Sequence, residues 1–412
     1  MRSFHVSRLF RLERTLIIGL FAWLTASAVA SPDVWKGLGY VTLLAGCVSC
    51  AVLARQATAP GRSRCLAEAA VWGGAWVSLV GLAEYYGLWT PAWSYPGRVV
   101  AVFINPNDLG IYLCTLLPVG ALLLLSDLKG ARKMAVMAGT VLNYTCLLMS
   151  GSRGAWWAGL CAGGAVVAVG WQVGLGGALS RNRQWALSLF LILVGITVLY
   201  SVPGPFKAPA AVSIPDRFMS SGEIAQGIAR PGAGVSGTSV GHRYLIWAAA
   251  GSMVNGHPLL GVGPGFFEDA YPALRDRLLR ETKAFDGLEA GMRGEDVRYA
   301  HNDFLQVGAE VGLPGLLLFG GVIGAWVTRA WRQTRRAEGE EDRLVRLGLL
   351  ASVTAVLVDA LVSYPLHIPV VAVLFWSFLG MGMGREKQER NGETGKLGNR
   401  FSPFRLFIPL CR

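Results

Sequence analysis

Apolar residues in this chain fall in long runs, separated by shorter stretches that collect arginine, lysine, glycine and proline. Ten runs stand out, at 15–31, 34–54, 66–88, 99–125, 134–150, 155–179, 185–201, 311–328, 346–363 and 368–384. Most are close to the ~20 residues that an α-helix needs to cross a bilayer core of about 30 Å. The pattern predicts an all-α polytopic membrane protein with about ten transmembrane helices. No period of about 20–50 residues repeats along the chain, which argues against a solenoid or an inverted transporter repeat.

Of the 412 residues, 53 % are hydrophobic and 16 % charged, whereas soluble domains carry about 25 % charged residues. That deficit, with 14 Trp and 53 Gly, excludes disordered, collagenous and ordinary soluble enzyme classes. A net charge of +12 would suggest nucleic acid for a soluble chain, but the placement of the charge gives another reason for it. Let the N-terminus, with Arg2, Arg8, Arg11 and Arg14, be cytoplasmic. The inner loops then hold Arg55, Arg62 and Arg64, next Lys129, Arg132 and Lys133, then Arg181 and Arg183, and later a cluster from Arg329 to Arg346. The short outer loops hold only Lys36, Arg98 and Arg153. Every inner loop agrees with the positive-inside rule, so the basic balance reports orientation and no nucleic-acid partner is expected. The seven cysteines lie in apolar runs or basic flanks, and no disulfide framework is expected. Cys47 and Cys50 have CxxC spacing but no second pair, and read as packing.

The runs divide the chain into four parts: spans one to seven (1–201), a large outer loop (202–302), spans eight to ten (303–384) and a basic cytoplasmic tail (385–412). The first run has the basic flank and Ala28-Val29-Ala30 ending of a signal peptide, and is read as an uncleaved anchor. In the large loop ten basic residues balance ten acidic ones. Its start, Pro203 to Ser239, has the composition of a mobile loop, and Arg243 to Val254 and Phe266 to Ala284 read as short helices. A loop of this length in a compact protein is usually functional. In the tail, Phe401, Phe404, Leu406, Phe407 and Ile408 among arginines suit a membrane surface.

Candidate chemistry begins with positive charge where the topology rule disfavours it. Arg153 stands in Ser150-Gly-Ser-Arg-Gly-Ala-Trp-Trp157, at the outer mouth between spans five and six. It either snorkels to lipid headgroups or uses its guanidinium fork to bind a phosphate. Arg243 lies four residues before Trp247, on one helical face, and either pairs with a loop acid or binds the same anion. Arg98, in Ser94-Tyr-Pro-Gly-Arg98, is a third candidate. Among five histidines, His301 stands out, in Tyr299-Ala-His-Asn-Asp-Phe-Leu-Gln306. If that stretch is helical, Asn302, Gln306 and Glu310 recur every four residues and face the protein interior. An imidazole with an ordinary pKa of ~6.5 in an outer cleft suits general-base work, although a lone histidine is more often structural. His367, in Tyr364-Pro-Leu-His-Ile-Pro369, is placed in the same cleft. Asn105, Asn107 and Asp108 either cap span four or line the site, and Glu84 and Asp359 are intramembrane acids. Gly261-Val-Gly-Pro-Gly265 lacks the Lys-Ser/Thr of a P-loop, so it reads as tight turns that bring backbone close to a ligand or helix. No cluster has metal-ligand spacing, and no cofactor is expected.

The ordered set Asn105-Pro-Asn107, Ser152-Arg-Gly154, Arg243 to Trp247, His257-Pro-Leu-Leu-Gly-Val-Gly263 and His301-Asn-Asp-Phe-Leu-Gln306 resembles the O-antigen ligase and polymerase (Wzy-C-like) superfamily of bacterial envelope glycosyltransferases. The resemblance covers roughly residues 100–380. It implies a GT-C-like membrane fold of up to about twelve spans, in the inner membrane, with the active site facing the periplasm. It implies a metal-independent, inverting transfer of a glycan from undecaprenyl diphosphate to an acceptor hydroxyl, here lipid A-core, for lipopolysaccharide. Arg153 and Arg243, with Arg98, would hold the diphosphate, and His301 would take the proton. Within the superfamily, a polysaccharide polymerase and a protein O-oligosaccharyltransferase are the alternatives. A solute transporter is the alternative of another class, disfavoured because the candidate groups collect at the outer face.

Overall fold

A computed structural model describes residues 2–58, 62–202, 214–219, 239–282, 285 and 297–384. The tail at 385–412 and most of the Pro/Gly/Ser-rich start of the large loop lie outside them. The described residues form helices α1 (Arg2–Val29), α2 (Val34–Ala57), α3 (Arg62–Tyr85), α4 (Pro106–Leu124), α5 (Gly130–Ser150), α6 (Arg153–Gly170), α7 (Leu175–Arg181) and α8 (Arg183–Ser201). After these come α9 (Ile214–Met219), α10 (Ser239–Gly256), α11 (Phe267–Glu281), α12 (Asp303–Arg336), α13 (Glu340–Asp359) and α14 (Pro369–Met383), with 3-10 turns at Trp171–Val173 and Pro365–His367. No strand occurs among the described residues. The protein is an all-α polytopic membrane protein. Among the described residues, seven helices are long and apolar enough to cross a bilayer: α1 from Arg11, α2, α3, α4, α6 with its 3-10 turn, α8 and α12. The three remaining apolar runs are helices as well. Charged first turns dilute α5 and α13, and α14 is apolar but shorter.

Three runs differ from their expected extents, each for a local reason. Residues 99–105 are not helical, because Asn105 caps α4 and Pro106 occupies its first turn. The run at 155–179 is interrupted by the turn at Trp171–Val173 and by Gly174 in the left-handed region. Span eight is part of the long α12, which begins at Asp303 and breaks at Gly312, with φ 74° and ψ 176°. At that break the 257–265 turn closes on the helix. Val262 N–H donates to Ala309 O, Gly263 N–H to Glu310 O, and Leu313 N–H to Pro258 O. From α1, Trp23 Nε1 donates to Val311 O and the Ser27 hydroxyl to Leu260 O. Interrupted backbone inside a membrane protein needs such partners. A Cβ on Gly312 would lie 1.9 Å from Leu259 O, and one on Gly261 2.2 Å from the Glu310 carbonyl carbon. The glycine-rich turn therefore serves a helix rather than a nucleotide.

The main core is formed where α1 to α6 pack with α12, α13 and α14. One end of the bundle carries the polar ties of the basic loops. Arg64 pairs with Glu341, Arg132 with Glu68, Arg181 with Glu340, and the buried Arg329 with Glu13 (2.6 Å). These residues come from loops that the charge pattern assigns to one side, and the fold brings them to one end. The opposite end carries Arg98, Arg153, Arg217, Arg243 and His301.

Candidate active site

Local chemistry explains how the arginines reach the outer end. Gly151, in the left-handed region, ends α5 and lets the chain turn at once into α6, so Arg153 is the first residue of that helix. A helix N-terminus favours an anion beside it. Arg98 is fixed from below: its Nε donates to Ser150 O (2.8 Å) and its Nη2 to Asn107 Oδ1 (2.7 Å). Arg217, from the short α9, donates through Nη2 to Gly151 O (3.0 Å). Arg243 enters on α10, which packs against α11 and the start of α12 through Ile246, Met253, Phe267, Tyr271 and Ala300.

Arg98, Arg217 and Arg243 each lie within reach of the Arg153 charge. Burial, with the charges of Arg217 and Arg153, lowers the pKa of Arg98 to about 10. Burial and the Arg153 charge lower Arg217. Arg243 is lowered by burial and by Arg153, against the opposing effect of Asp359. All remain cations at neutral pH. Like charges gathered in a half-buried cleft repel, and an anion relieves that repulsion.

His301 sits in the turn before α12, not in the helix, with φ 50°. Such a value is uncommon outside glycine and persists where the surroundings fix it. Trp247 Nε1 donates to Ala300 O (3.0 Å) on one side. On the other, Asp303 N–H donates to Ala360 O (2.9 Å) and Asn302 Nδ2 to Leu361 O (3.0 Å). The ring meets Tyr364 edge-on at 5.0 Å. Burial, and then the Arg243 charge, lower the His301 pKa to about 4. At neutral pH the imidazole is uncharged, the state a proton acceptor requires.

Several residues expected to line the site serve the framework instead. Asn105 accepts from Asn107 N–H as the α4 cap, and Asn302 accepts from Leu305 N–H as the α12 cap. Gln306 and Glu310 face the interior, as the four-residue stripe predicts, but their polar atoms are used there. Gln306 Oε1 accepts from Ala300 N–H, its Nε2 donates to Glu310 Oε1, and Glu310 Oε2 accepts from Gly265 N–H. Asn107 accepts from Arg98 Nη2 through its Oδ1.

His367 does not share the His301 cleft. Two rings stand between them: Tyr364 stacks on Tyr299 at 4.4 Å, and Tyr299 meets His367 at 5.3 Å. His367 Nδ1 donates to the buried Asp303 Oδ1 (2.6 Å), whose other oxygen accepts from Leu366 N–H. Burial opposes charge on His367, but Asp303 and then Glu310 raise its pKa overall.

Sequence reasoning missed Arg217, Tyr299 and Tyr364 as site residues. Arg217 stood among ten basic residues of a neutral loop, with no pattern to single it out. The tyrosines precede His301 and His367 by two and three residues, an aromatic–histidine proximity that was legible.

Residues 138–320 match the family model described as O-antigen ligase (Wzy_C). Over these residues the chain is O-antigen ligase-like. The ligase-like segment runs from α5 to the middle of α12 and includes Arg153, Arg217, Arg243 and His301, while Arg98, Asp359 and Tyr364 lie outside it. A search of curated proteins finds no match to the chain.

Proposed function

We propose that this protein is an O-antigen ligase of the bacterial inner membrane, working on the periplasmic side. It moves a glycan from undecaprenyl diphosphate to a hydroxyl of lipid A-core. The observation that carries the reading is that Arg98 and Arg243 both lie within electrostatic reach of Arg153, with the uncharged His301 ring beside Arg243.

In this scheme the guanidinium groups hold the diphosphate, with Arg153 and Arg243 as the principal pair. The acceptor oxygen attacks the anomeric carbon as the bond from that carbon to the diphosphate oxygen breaks. The electron pair leaves on the diphosphate, which thereby gains negative charge. Fixed guanidiniums stabilise that charge as it develops, which is the condition for lowering a barrier rather than only binding substrate. His301 accepts the acceptor's proton. Its free-state pKa of about 4 makes it a weak base, but an arriving diphosphate offsets the neighbouring Arg243 charge and strengthens it where it is needed. No nucleotide is required, because the sugar–diphosphate bond already stores the energy.

The test is purified protein in detergent with undecaprenyl-diphosphate-linked O-antigen and lipid A-core, without nucleotide. Glycan-capped lipid A-core on a gel supports the proposal. Lack of product, with the donor intact, overturns it. A deletion strain separates the relatives in function. Loss of all long-chain lipopolysaccharide with accumulation of lipid-linked polymer marks a ligase, a single-repeat ladder marks a polymerase, and loss of protein glycosylation marks an oligosaccharyltransferase.

A further inference from the structure

The sequence singles out Glu84 as an intramembrane acid, and the donor site makes no direct use of it. It is half-buried in the last turn of α3, three residues after Gly81 and so on the same face. Both residues meet the segment that follows Arg98. A Cβ on Gly81 would lie 3.0 Å from Val99 Cγ1 and 3.5 Å from Ala101 Cβ, so the glycine lets this segment close on α3. Glu84 then takes the next two N–H groups. Val100 N–H donates to its Oε2 (3.0 Å), and Ala101 N–H donates to the same oxygen (2.7 Å). Among the described residues, the carboxylate is held by this backbone and by no cation. Such a charge at the end of a membrane span is costly to keep. Ala101 is buried, with φ 50°, a left-handed value that a side chain disfavours. A turn closes around it, with Phe103 N–H donating to Val100 O (2.9 Å). Strain of this kind persists only where the surroundings fix the residue, and here the carboxylate grips its N–H.

Arg98 stands at the other end of the same segment. Val99 N–H donates to Met149 O (3.2 Å), so residues 98–101 are fastened to α5 on one side and to α3 on the other. The Arg98 side chain is then tied through Nε to Ser150 O and through Nη2 to Asn107 Oδ1. A guanidinium carries five N–H donors, so these two bonds fix its plane and leave donors for an anion. Arg217 comes to the same place: a Cβ on Gly151 would lie 3.3 Å from Arg98 Nε and 3.6 Å from Arg217 Nε. We propose that Glu84 is a positioning residue, whose carboxylate pins the 98–101 segment and so sets where the Arg98 guanidinium meets a phosphate. The consequence for the donor rests on the ligase reading, whereas the control of Arg98 does not. Glu84 touches no substrate in this scheme. It acts as an acceptor and not as a charge. One of its oxygens takes both N–H groups at the shorter distances, so a neutral amide oxygen with the same reach serves equally.

The experiment uses the full-length protein in nanodiscs and two measurements. The first is phenylglyoxal modification of Arg98, read by peptide mass spectrometry without carrier or acceptor. Glu84→Asp withdraws the carboxylate by one methylene and keeps its charge. It is expected to speed modification of Arg98 by about threefold or more, with Arg243 at its wild-type rate. Glu84→Gln keeps the reach and removes the charge, and is expected to leave both rates unchanged. The second measurement is the Kd for undecaprenyl diphosphate. Glu84→Asp and Arg98→Gln are each expected to raise it by about tenfold. The double variant should bind no more weakly than Arg98→Gln alone, because Glu84 acts through Arg98. An additional rise in the double variant marks a generally loosened protein and overturns the proposal. So does an Arg98 rate unmoved by Glu84→Asp. A Kd for Glu84→Gln several-fold below wild type makes the carboxylate a repelling charge and overturns it too. Where Glu84→Asp proves unstable, the same comparison is made with Ala101→Gly added, since glycine takes φ 50° without strain. Failure of the wild type to bind the carrier sinks the donor reading, and the phenylglyoxal rates then decide this one.

Discussion

Titration of His301 offers a quantitative test of the site's electrostatics. Its pKa is lowered from the ordinary 6.5 to about 4 by burial first and the Arg243 charge second. At about 1.4 kcal/mol per pH unit, that difference is on the order of 3 kcal/mol in favour of the neutral ring. The neutral form is lost as pH falls through the pKa, so at pH 7 about one ring in a thousand is protonated, against about one in four for an ordinary histidine. Diethyl pyrocarbonate acylates only neutral imidazole, and mass spectrometry reads its rate at His301 residue by residue. Over the range in which far-UV circular dichroism shows the protein folded, the wild-type rate constant should stay flat from pH 8 to pH 5. A histidine peptide should lose half its reactivity near 6.5. In Arg243→Gln the second contribution is gone, so the midpoint should rise yet stay below 6.5, because burial persists. Undecaprenyl diphosphate should move the wild-type midpoint up as well. A donor-free wild-type midpoint at or above 6.5 would refute the reasoning.

The remaining predictions concern the arginines and the framework. Arg243→Lys keeps the charge but loses the bidentate fork, and should lower kcat/KM for the donor by about 10- to 100-fold in the transfer assay with normal membrane abundance. Gly312→Ala forces a side chain onto φ 74° and against Leu259 O, and should cost about 2–4 kcal/mol, read as a lowered Tm of the solubilised protein. Breaking the buried Arg329–Glu13 pair by Arg329→Met alone should cost about 3–5 kcal/mol. Adding Glu13→Leu should restore most of that loss in the same melt, because the double change leaves no buried charge behind.

The helices were legible because a bilayer demands long apolar runs, and each of the ten runs overlaps a helix. Their ends were less legible where local chemistry overrides hydropathy. Residues 99–105 are apolar enough to extend a span, yet Asn105 and Pro106 start the helix after them. The break at Gly312 was invisible because its partners, Pro258 to Gly263, lie some fifty residues away in sequence. At the site, Arg153, Arg243 and His301 could be picked out because each stands where its neighbours make it unusual. The roles of Asn302, Gln306 and Glu310 could not, since an inward polar stripe looks the same whether it meets a substrate or the backbone of a neighbouring turn. His367 was grouped with His301 in one cleft. Only the packing of Tyr299 on Tyr364 separates them.

The central claim is that the arginine cluster and His301 form one site, with the arginines holding the donor and the histidine serving the chemistry. Single-turnover transfer by His301→Ala, beside binding of undecaprenyl diphosphate to the same protein, tests it most directly. The account predicts that transfer slows by about 10²- to 10⁴-fold, as for loss of a general base, while the carrier still binds. Transfer at the wild-type rate by the alanine variant would contradict it.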